Sequence, residues 1–167
     1  MPIAKKVLKY LEDHKVSFKT LEHKVVYTAY DTAQTLRRKL QEIAKTLLIK
    51  TDKGYALVIV PASRMVDLQK VKKILKVKRI EIAKERTMKT LLTMKSGSIV
   101  PFAKLYRLKK KGAEQLPVYI DSAFTRVKKI VASAGTFTES LEMSVKNFLK
   151  ATEAKKVSIS KARTGKK

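Results

Sequence analysis

The sequence predicts a single domain of the α+β or mixed α/β class, in which helices surround a central mixed, largely antiparallel sheet. Three observations favour this fold. The 167 residues fit the usual size of one domain, roughly 100–200 residues. Apolar side chains recur with helical spacing in some short segments and with strand spacing in others. The two kinds of segment interleave without the regular rhythm of βαβ units, which favours a mixed sheet.

Five segments have the pattern of amphipathic helices. In the first, Ile3 and Val7 lie on one apolar stripe. The second begins with a capping-box pattern, in which Asp31 accepts main-chain N–H groups and Gln34 stands at the return position. Asp67 is the predicted cap of the third helix. The predicted helices are residues 3–14, 31–40, 68–75, 84–92 and 145–149.

The clearest strand signal is a β-hairpin. Residues 45–50 and 55–60 flank a short polar turn in which Gly54 supplies the left-handed position. The second of these strands is apolar almost throughout, which predicts burial on both of its faces. The other predicted strands are residues 16–21, 79–83, 116–120, 129–132 and 141–143.

Positive charge is the strongest indication of a partner. The chain has 39 Lys and Arg against 14 Asp and Glu, a net charge of +25. Residues 69–90, 104–112 and 151–167 carry +7, +5 and +5 of it. Nucleic acid is the first candidate partner and an anionic membrane surface the second, while the bland alternative is a charge that only aids solubility.

The residue inventory excludes several kinds of chemistry. The chain has no Cys and only two histidines, His14 and His23. Disulfides, thiolate metal sites and a cysteine nucleophile are therefore excluded, and we expect no metal and no cofactor. Neither of the glycine-rich nucleotide-binding fingerprints is present. An enzyme with this inventory would rely on lysine, hydroxyls, main-chain dipoles and bound water, which suits hydrolysis of an activated ester.

The sequence predicts a cytoplasmic protein without a membrane partner. It contains no run of the roughly 18 apolar residues that cross a bilayer. The N-terminus has early lysines but no continuous apolar segment behind them, so a secretory signal is not expected.

Nine short segments, in this order and spacing, resemble a known family. The chain is similar to the YbaK/ProX-type aminoacyl-tRNA deacylase domain, a group of trans-editing relatives of the insertion domain in bacterial prolyl-tRNA synthetase. The resemblance covers about residues 5–150. The matching segments are His23 with Tyr27-Thr28, Asp31–Leu36, Ala44–Leu48, Val58–Pro61, Val66–Leu68, Ile82-Ala83, Gly97–Phe102, Tyr119–Asp121 and Ser133–Gly135.

The resemblance implies a domain organisation and a fold. Residues 1–150 would form the editing domain, with the barrel-like sheet of the YbaK and prolyl-tRNA synthetase-associated domains. Residues 151–167 contain few large apolar side chains and would form a basic, flexible C-terminal tail. The chain departs from the family in a loop that retains only Gly97 of a glycine-richer run, and in a longer, more basic stretch at 104–117.

The resemblance also implies two catalytic elements. Lys45 matches the family's lysine and would contact the aminoacylated 3′ end of tRNA. The main chain of the loop from Gly97 to Pro101 would position the aminoacyl carbonyl and the attacking water. The alternative for Lys45 is an ordinary surface lysine beside a buried strand, and the alternative for Gly97 is an ordinary turn glycine. His23 is either a pocket wall, an orienting hydrogen-bond partner or a structural histidine.

Two further groups of residues complete the predicted site. Hydroxyl, aromatic and turn residues at strand ends are candidates for lining the aminoacyl pocket, although Asp121 has a structural alternative. Basic residues of two charged segments are candidates for phosphate contacts, or else form solvated surfaces. The pocket candidates are His23, Tyr27, Thr28, Ser63, Ser98, Pro101, Asp121, Ser133, Gly135 and Thr136. The phosphate candidates are Lys72, Lys73, Lys76, Lys109, Lys110 and Lys111.

The expected function is that of a trans-editing deacylase. It would hydrolyse the ester of a mischarged tRNA of the Cys-, Ala- or Ser-tRNA class with a positioned water and no metal. The expected partners are tRNA and an aminoacyl-tRNA synthetase, and the expected state is a monomer. The first alternative is a catalytically inactive RNA-binding module of the same fold. The second is a basic structural protein at a membrane surface or on the ribosome.

Overall fold

In the described part of the chain, ten strands and five α-helices make up the fold. A computed structural model of the chain describes residues 3–94, 98–106 and 116–163. The helices are α1 (Ile3–Asp13), α2 (Ala29–Leu36), α3 (Leu68–Leu75), α4 (Glu85–Leu92) and α5 (Val145–Thr152), with 3₁₀ turns at Leu40–Glu42, Ala103–Leu105 and Ser122–Arg126. The strands are β1 (Lys19–Glu22), β2 (Ala44–Thr51), β3 (Gly54–Pro61), β4 (Arg64–Val66), β5 (Ile80–Ile82), β6 (Val118–Asp121), β7 (Lys129–Ser133), β8 (Glu139–Ser144), β9 (Lys155–Val157) and β10 (Ser160–Ala162). Among the described helices, none has the length and hydrophobicity that crossing a bilayer requires.

The largest sheet is mixed, as the sequence predicts. Its five strands are ordered β5-β2-β3-β6-β9, with antiparallel pairing from β5 to β3 and parallel pairing from β3 to β9. A second, antiparallel sheet has the order β1-β8-β7, and β4 pairs with β10. A single bridge between Ile43 and Val131 joins the two larger sheets.

The expectation of a barrel-like sheet is wrong, because the described strands do not close a barrel. The edge strands β5 and β9 pair with β2 and β6 and not with each other. β5 pairs with β2 only at Ile49–Thr51, and the Ala83 N–H then donates to the Leu48 carbonyl at 2.8 Å. Beyond Ala83 the chain turns into α4. From Lys45 to Leu47, beyond the Ile43–Val131 bridge, β2 therefore has one edge with which no described strand pairs.

The core lies on both faces of the five-stranded sheet. On one face Leu57 and Ile59 of β3 belong to the main apolar cluster, which includes residues of α1, α4 and α5. On the other face Val58 and Val60 pack in a smaller cluster with Val71 of α3. Burial of both faces explains why β3 is apolar almost throughout, and the prediction made for this strand is confirmed.

The second helix begins and ends earlier than the sequence predicts. Thr28, and not Asp31, is its N-cap, because the Thr28 hydroxyl accepts the Asp31 N–H at 3.0 Å. Asp31 lies in the first turn, where its charge complements the helix dipole. The helix stops at Leu36 because Arg37 adopts a left-handed conformation with φ of 55°.

Residues 151–163 are folded, so the expectation of a flexible tail is wrong for them. α5 continues to Thr152, β9 extends the large sheet, and β10 pairs with β4. The buried Asp121 carboxylate anchors this segment: it accepts the Ile159 N–H at 2.9 Å and the Ser160 hydroxyl at 2.7 Å. One carboxylate and the buried Ile159 side chain thus order a segment that is otherwise polar. Residues 164–167 lie outside the described part of the chain.

We expect Asp121→Ala to lower the free energy of unfolding by about 2–3 kcal/mol, because it leaves the buried Ile159 amide without an acceptor. Urea denaturation measures the change. Asp13→Ala is the matched control: it removes only an exposed ion pair with Lys9, worth about 0.5 kcal/mol or less. Equal losses in the two variants would contradict the anchoring role of Asp121.

Candidate functional site

The candidate site is a cavity of about 250 Å³ beside the uncovered edge of β2. One wall is the segment that leads into α2, from Val26 to Ala29, together with Thr32. The opposite wall comes from the end of β7, and Ser140 of β8 adds a hydroxyl. The short β5 creates this cavity, because a longer strand would occupy the space next to residues 44–47.

The main chain of β2 contributes polar groups to this cavity. Hydrogen-bonding directions alternate along a strand, and Leu48 directs its carbonyl away from β3 towards Ala83. Two residues earlier, Thr46 therefore directs its N–H and C=O to the same side, where the cavity lies. No strand among the described residues pairs with Thr46 on that side. The cavity thus offers a main-chain donor and acceptor fixed in place by the β2–β3 hairpin.

Lys45 lies between this cavity and a second groove, and it lines both of them. Burial of the ammonium lowers the pKa of Lys45 below its ordinary value, and the positive charge of Arg163 lowers it further. A partly desolvated ammonium interacts more strongly with an anion or a polarised carbonyl than a fully hydrated one does.

His23 lies behind the cavity and acts on it through Ser140. Its Nδ1 is 2.8 Å from the Lys24 carbonyl, which can only accept, so Nδ1 carries the proton. In the neutral ring Nε2 then accepts the Ser140 hydroxyl hydrogen at 2.9 Å. The Ser140 oxygen, which lines the cavity, therefore presents its lone pairs as acceptors.

An aromatic pair lies beside the cavity, with one exposed ring, Tyr27, and one half-buried ring, Phe137. Tyr27 lines the cavity and is 63% exposed. Its ring packs against Phe137 with the ring centroids 5.0 Å apart. Exposed aromatic faces of this kind are suited to stacking on a nucleobase. Tyr27 is among the predicted pocket residues and Phe137 is not, although its position as a lone aromatic residue in a polar turn could have indicated it.

A tight turn after β7 places two more predicted residues on the cavity wall. Ser133 and Thr136 line the cavity. Between them Gly135 has a φ of 99°, and its N–H donates to the Ser133 hydroxyl at 3.0 Å. Glycine adopts this positive φ without steric penalty. Gly135 therefore shapes the wall through its backbone and does not itself line the cavity.

A buried ion pair holds α2 against the sheet beneath the cavity. Arg38 Nη1 lies 2.6 Å from Glu142 Oε2, although the two groups are not aligned as a linear hydrogen bond. Glu142 is 4% exposed and lies on β8 two residues from Ser140. The helix that supplies one wall is thereby fixed to the strand that supplies the floor.

Several predicted pocket residues lie elsewhere. Asp121 anchors the C-terminal strands and does not line the cavity, so its structural alternative holds. Ser63 lies in the turn between β3 and β4, also away from the cavity. Ser98 and Pro101 are buried beside the wall residue Ile99 but do not line the cavity themselves.

The predicted phosphate contacts are not brought to the cavity. Lys72, Lys73 and Lys76 lie towards the C-terminal end of α3, where the Lys76 carbonyl accepts the Lys53 ammonium at 2.9 Å. This is the hairpin end of β2, roughly 20 Å of strand away from Lys45. Gly97, Lys109, Lys110 and Lys111 lie outside the described residues.

A buried tyrosine fixes the wall that contains Ile99. The Tyr106 hydroxyl donates to the Val100 carbonyl at 2.7 Å and accepts the Val100 N–H at 2.9 Å. Burial raises the pKa of Tyr106, so the hydroxyl keeps its proton over the ordinary pH range. Tyr106 is not among the predicted site residues, because a single tyrosine in an apolar segment has no distinctive pattern.

We expect Tyr106→Phe to destabilise the protein by about 1–3 kcal/mol, since it leaves the buried Val100 N–H and carbonyl without partners. Thermal denaturation measures the loss. Tyr30→Phe is the control, because Tyr30 is exposed on α2 and its substitution should change stability by less than about 0.5 kcal/mol. A Tyr106→Phe variant as stable as Tyr30→Phe would show that the two hydrogen bonds between Tyr106 and Val100 contribute little to stability.

The lowered pKa of Lys45 predicts a pH-dependent stability. Between its folded pKa and the ordinary value of 10.5, the unfolded chain binds more protons than the folded one, so stability rises with pH in that window. Below the folded pKa the charged Lys45 costs stability. We expect Lys45→Met to be more stable than the wild type at pH 7, with an advantage that shrinks as pH approaches 10.5.

Urea denaturation at several pH values between 7 and 10 measures this advantage. Lys50→Met is the control, because Lys50 is an exposed residue of the same strand. If the stability gained by Lys45→Met is the same at every pH, it comes from packing alone, and the prediction is wrong.

Comparison with known proteins agrees with the fold and the resemblance. Residues 23–151 match the family model of the aminoacyl-tRNA editing domain. The crystal structure of "a putative trans-editing enzyme for prolyl tRNA synthetase" superposes with a TM-score of 0.81 at 22% identity, over 97% of this chain and 99% of that one. A hypothetical protein of known structure superposes with a TM-score of 0.81 at 20% identity, over 93% of this chain and 99% of the other. These findings confirm the mixed α/β fold and the resemblance predicted from the sequence, and the chain belongs to the aminoacyl-tRNA editing domain family.

Proposed function

We propose that the chain hydrolyses the ester of a mischarged tRNA of the Cys-, Ala- or Ser-tRNA class, with a positioned water and without a metal. The observation that carries the proposal is the location of Lys45. Its partly buried ammonium stands at the rim of a small cavity whose other polar groups are hydroxyls and the main chain of β2. These groups can bind a carbonyl and orient a water molecule, and an activated ester needs little more.

The size of the cavity supports a small aminoacyl group. A volume of about 250 Å³ is below the roughly 300–1,000 Å³ of pockets that enclose drug-sized ligands. A pocket separates side chains that differ by one methylene by only about 1–3 kcal/mol, so this cavity would impose an upper limit on size and not a single identity. The hydroxyls of Ser133 and Ser140 suit alanine, serine and cysteine better than a long apolar side chain.

The mouth of the cavity supports recognition of the terminal adenosine. Tyr27, whose ring packs on the half-buried Phe137, offers an exposed aromatic face to the base, and such stacking is worth about 1–3 kcal/mol per base. With the base stacked there, the ester would lie at the uncovered edge of β2 beside Lys45. Gly97 lies outside the described residues, and its proposed catalytic role rests on the family resemblance alone.

The metal-free mechanism is supported by the groups that are available. The chain has no Cys and two His, and both ring nitrogens of His23 have hydrogen-bond partners. In the described part of the chain, no three side chains of the metal-binding types cluster together.

We further propose that the protein acts in trans as a monomer, on tRNA that a synthetase has mischarged.

Deacylation of a panel of mischarged tRNAs tests the proposal. Cys-, Ala- and Ser-tRNA of the proline and cysteine isoacceptors come first. We expect hydrolysis above the buffer rate for at least one, and a roughly 100-fold lower kcat/KM for Lys45→Ala, in line with the loss of one stabilising donor. Lys50→Ala on the same strand should retain full activity.

Two results would count against this proposal. Tight tRNA binding without hydrolysis of any ester would favour the inactive RNA-binding module. Full activity of Lys45→Ala would mean that the lysine does not act on the ester.

A further inference from the structure

A second groove, of about 430 Å³, lies on the other side of Lys45 from the cavity. We call it the basic groove, after the three cations that line it: Lys45, Lys161 and Arg163. The first comes from β2, and the other two come from β10 and the residue that follows it. The C-terminal segment, expected from sequence to be flexible, therefore reaches the candidate active site.

The positive charge of the basic groove is not balanced within the described residues. Asp67 is the acidic residue that lines the groove, and one of its carboxylate oxygens accepts the N–H groups of Gln69 and Lys70 as the cap of α3. No described carboxylate lies within ion-pair distance of Lys45, Lys161 or Arg163. Adjacent like charges repel, and the effect of Arg163 on the pKa of Lys45 is one consequence.

Hydrogen bonds of the buried Ser160 hold the C-terminal cations in place. The Ser160 hydroxyl donates to Asp121 and accepts the Arg64 Nε–H at 2.6 Å, while the Ser160 carbonyl accepts the Lys70 ammonium at 2.9 Å. These bonds fix β10 directly before Lys161. An arrangement that maintains unbalanced charge in this way is suited to an anionic ligand.

Arg163 is itself oriented by the fold. Its Nη1 donates to the Ala62 carbonyl at 3.0 Å. A guanidinium has five N–H donors in a planar fork that matches phosphate oxygens, so most of them stay available after this bond. Arg163 and Lys161 both lie beyond the residues 23–151 that the family model matches.

We propose that the basic groove binds a phosphate of the RNA backbone, the one on the 5′ side of the terminal aminoacylated adenosine, through Arg163 and Lys161. The inference rests on the proposed function, because it places the aminoacyl group in the cavity. Lys45 lines both spaces, so a ligand that occupies them together would carry an anion a short distance from its acyl group. The 5′-phosphate of the terminal nucleotide meets this requirement.

Two non-hydrolysable analogues test the proposal. One is 3′-alanylamino-3′-deoxyadenosine, whose amide replaces the ester, and the other is the same compound with a 5′-phosphate. Calorimetry with the full chain should show about tenfold tighter binding of the phosphorylated analogue, a typical effect of a charge-assisted hydrogen bond. Arg163→Gln and Lys161→Gln should each remove much of this preference, and together nearly all of it.

Lys155→Gln and Lys156→Gln are the matched controls. Both lysines are exposed on β9 of the same C-terminal segment but do not line the basic groove. They should keep the preference for the phosphorylated analogue. The analogue without phosphate reports on folding, since a misfolded variant would lose affinity for both compounds.

Equal affinity of the wild type for the two analogues, or no measurable binding of either at millimolar concentration, would overturn the proposal. So would a tenfold preference that survives the double substitution. Failure of the proposed function is recognised separately. If the wild type prefers the phosphorylated analogue but hydrolyses no mischarged tRNA, the proposed phosphate subsite stands and the proposed deacylase activity is wrong. If the double variant hydrolyses mischarged tRNA with an unchanged KM, the proposed deacylase activity stands and the proposed phosphate subsite is wrong.

Discussion

The short pairing between β5 and β2 is the constraint on which the candidate site depends. The ladder covers Ile49–Thr51 and ends where the Ala83 amide bonds to Leu48. Main-chain groups that are removed from water need partners, so an uncovered strand edge inside a fold is costly unless water or a ligand satisfies it. The fold keeps this edge rigid through eight residue pairs with β3 and leaves its other side to a cavity. A site built on a strand edge is positioned by the sheet and does not depend on loop order.

Lys45 shows how a functional group can oppose stability. Burial lowers the pKa of its ammonium, and the positive charge of Arg163 lowers that pKa further. The buried Asp121 carboxylate, which bonds to the Ile159 N–H and the Ser160 hydroxyl, holds the C-terminal segment in place against this repulsion. Residues that look purely structural therefore support the electrostatics of the site. Natural proteins commonly accept such a loss of stability where activity requires it.

Local patterns predicted the parts of the fold that local physics decides. The hairpin around Gly54 and the helix capped by Asp67 follow from turn chemistry and side-chain spacing, and both occur as expected. The tail was misjudged because its strands are three residues long and depend on a carboxylate 38 residues away. No pattern within the tail itself indicates that partner.

The candidate site could be predicted only in part, for a related reason. The resemblance and the strand-end positions singled out Lys45, Tyr27 and Ser133, and all three line the cavity. Ser140 was missed, since an isolated serine in a strand is unremarkable until β7 and β8 pair. The lysines of α3 were assigned to RNA from charge alone, and net charge along a segment does not tell which end of a sheet the segment faces.

The fixation of α2 at both ends has a consequence for how the protein would choose among amino acids. Just before the helix the Val26 N–H donates to the Phe137 carbonyl at 2.8 Å, and just after it the Arg38–Glu142 ion pair holds the chain to β8. A wall held in this way cannot swing outward to admit a bulky side chain, nor close around a small one. Selection would then depend on a rigid pocket and not on induced fit. Aminoacyl groups that are too large would be excluded by steric clash with the wall.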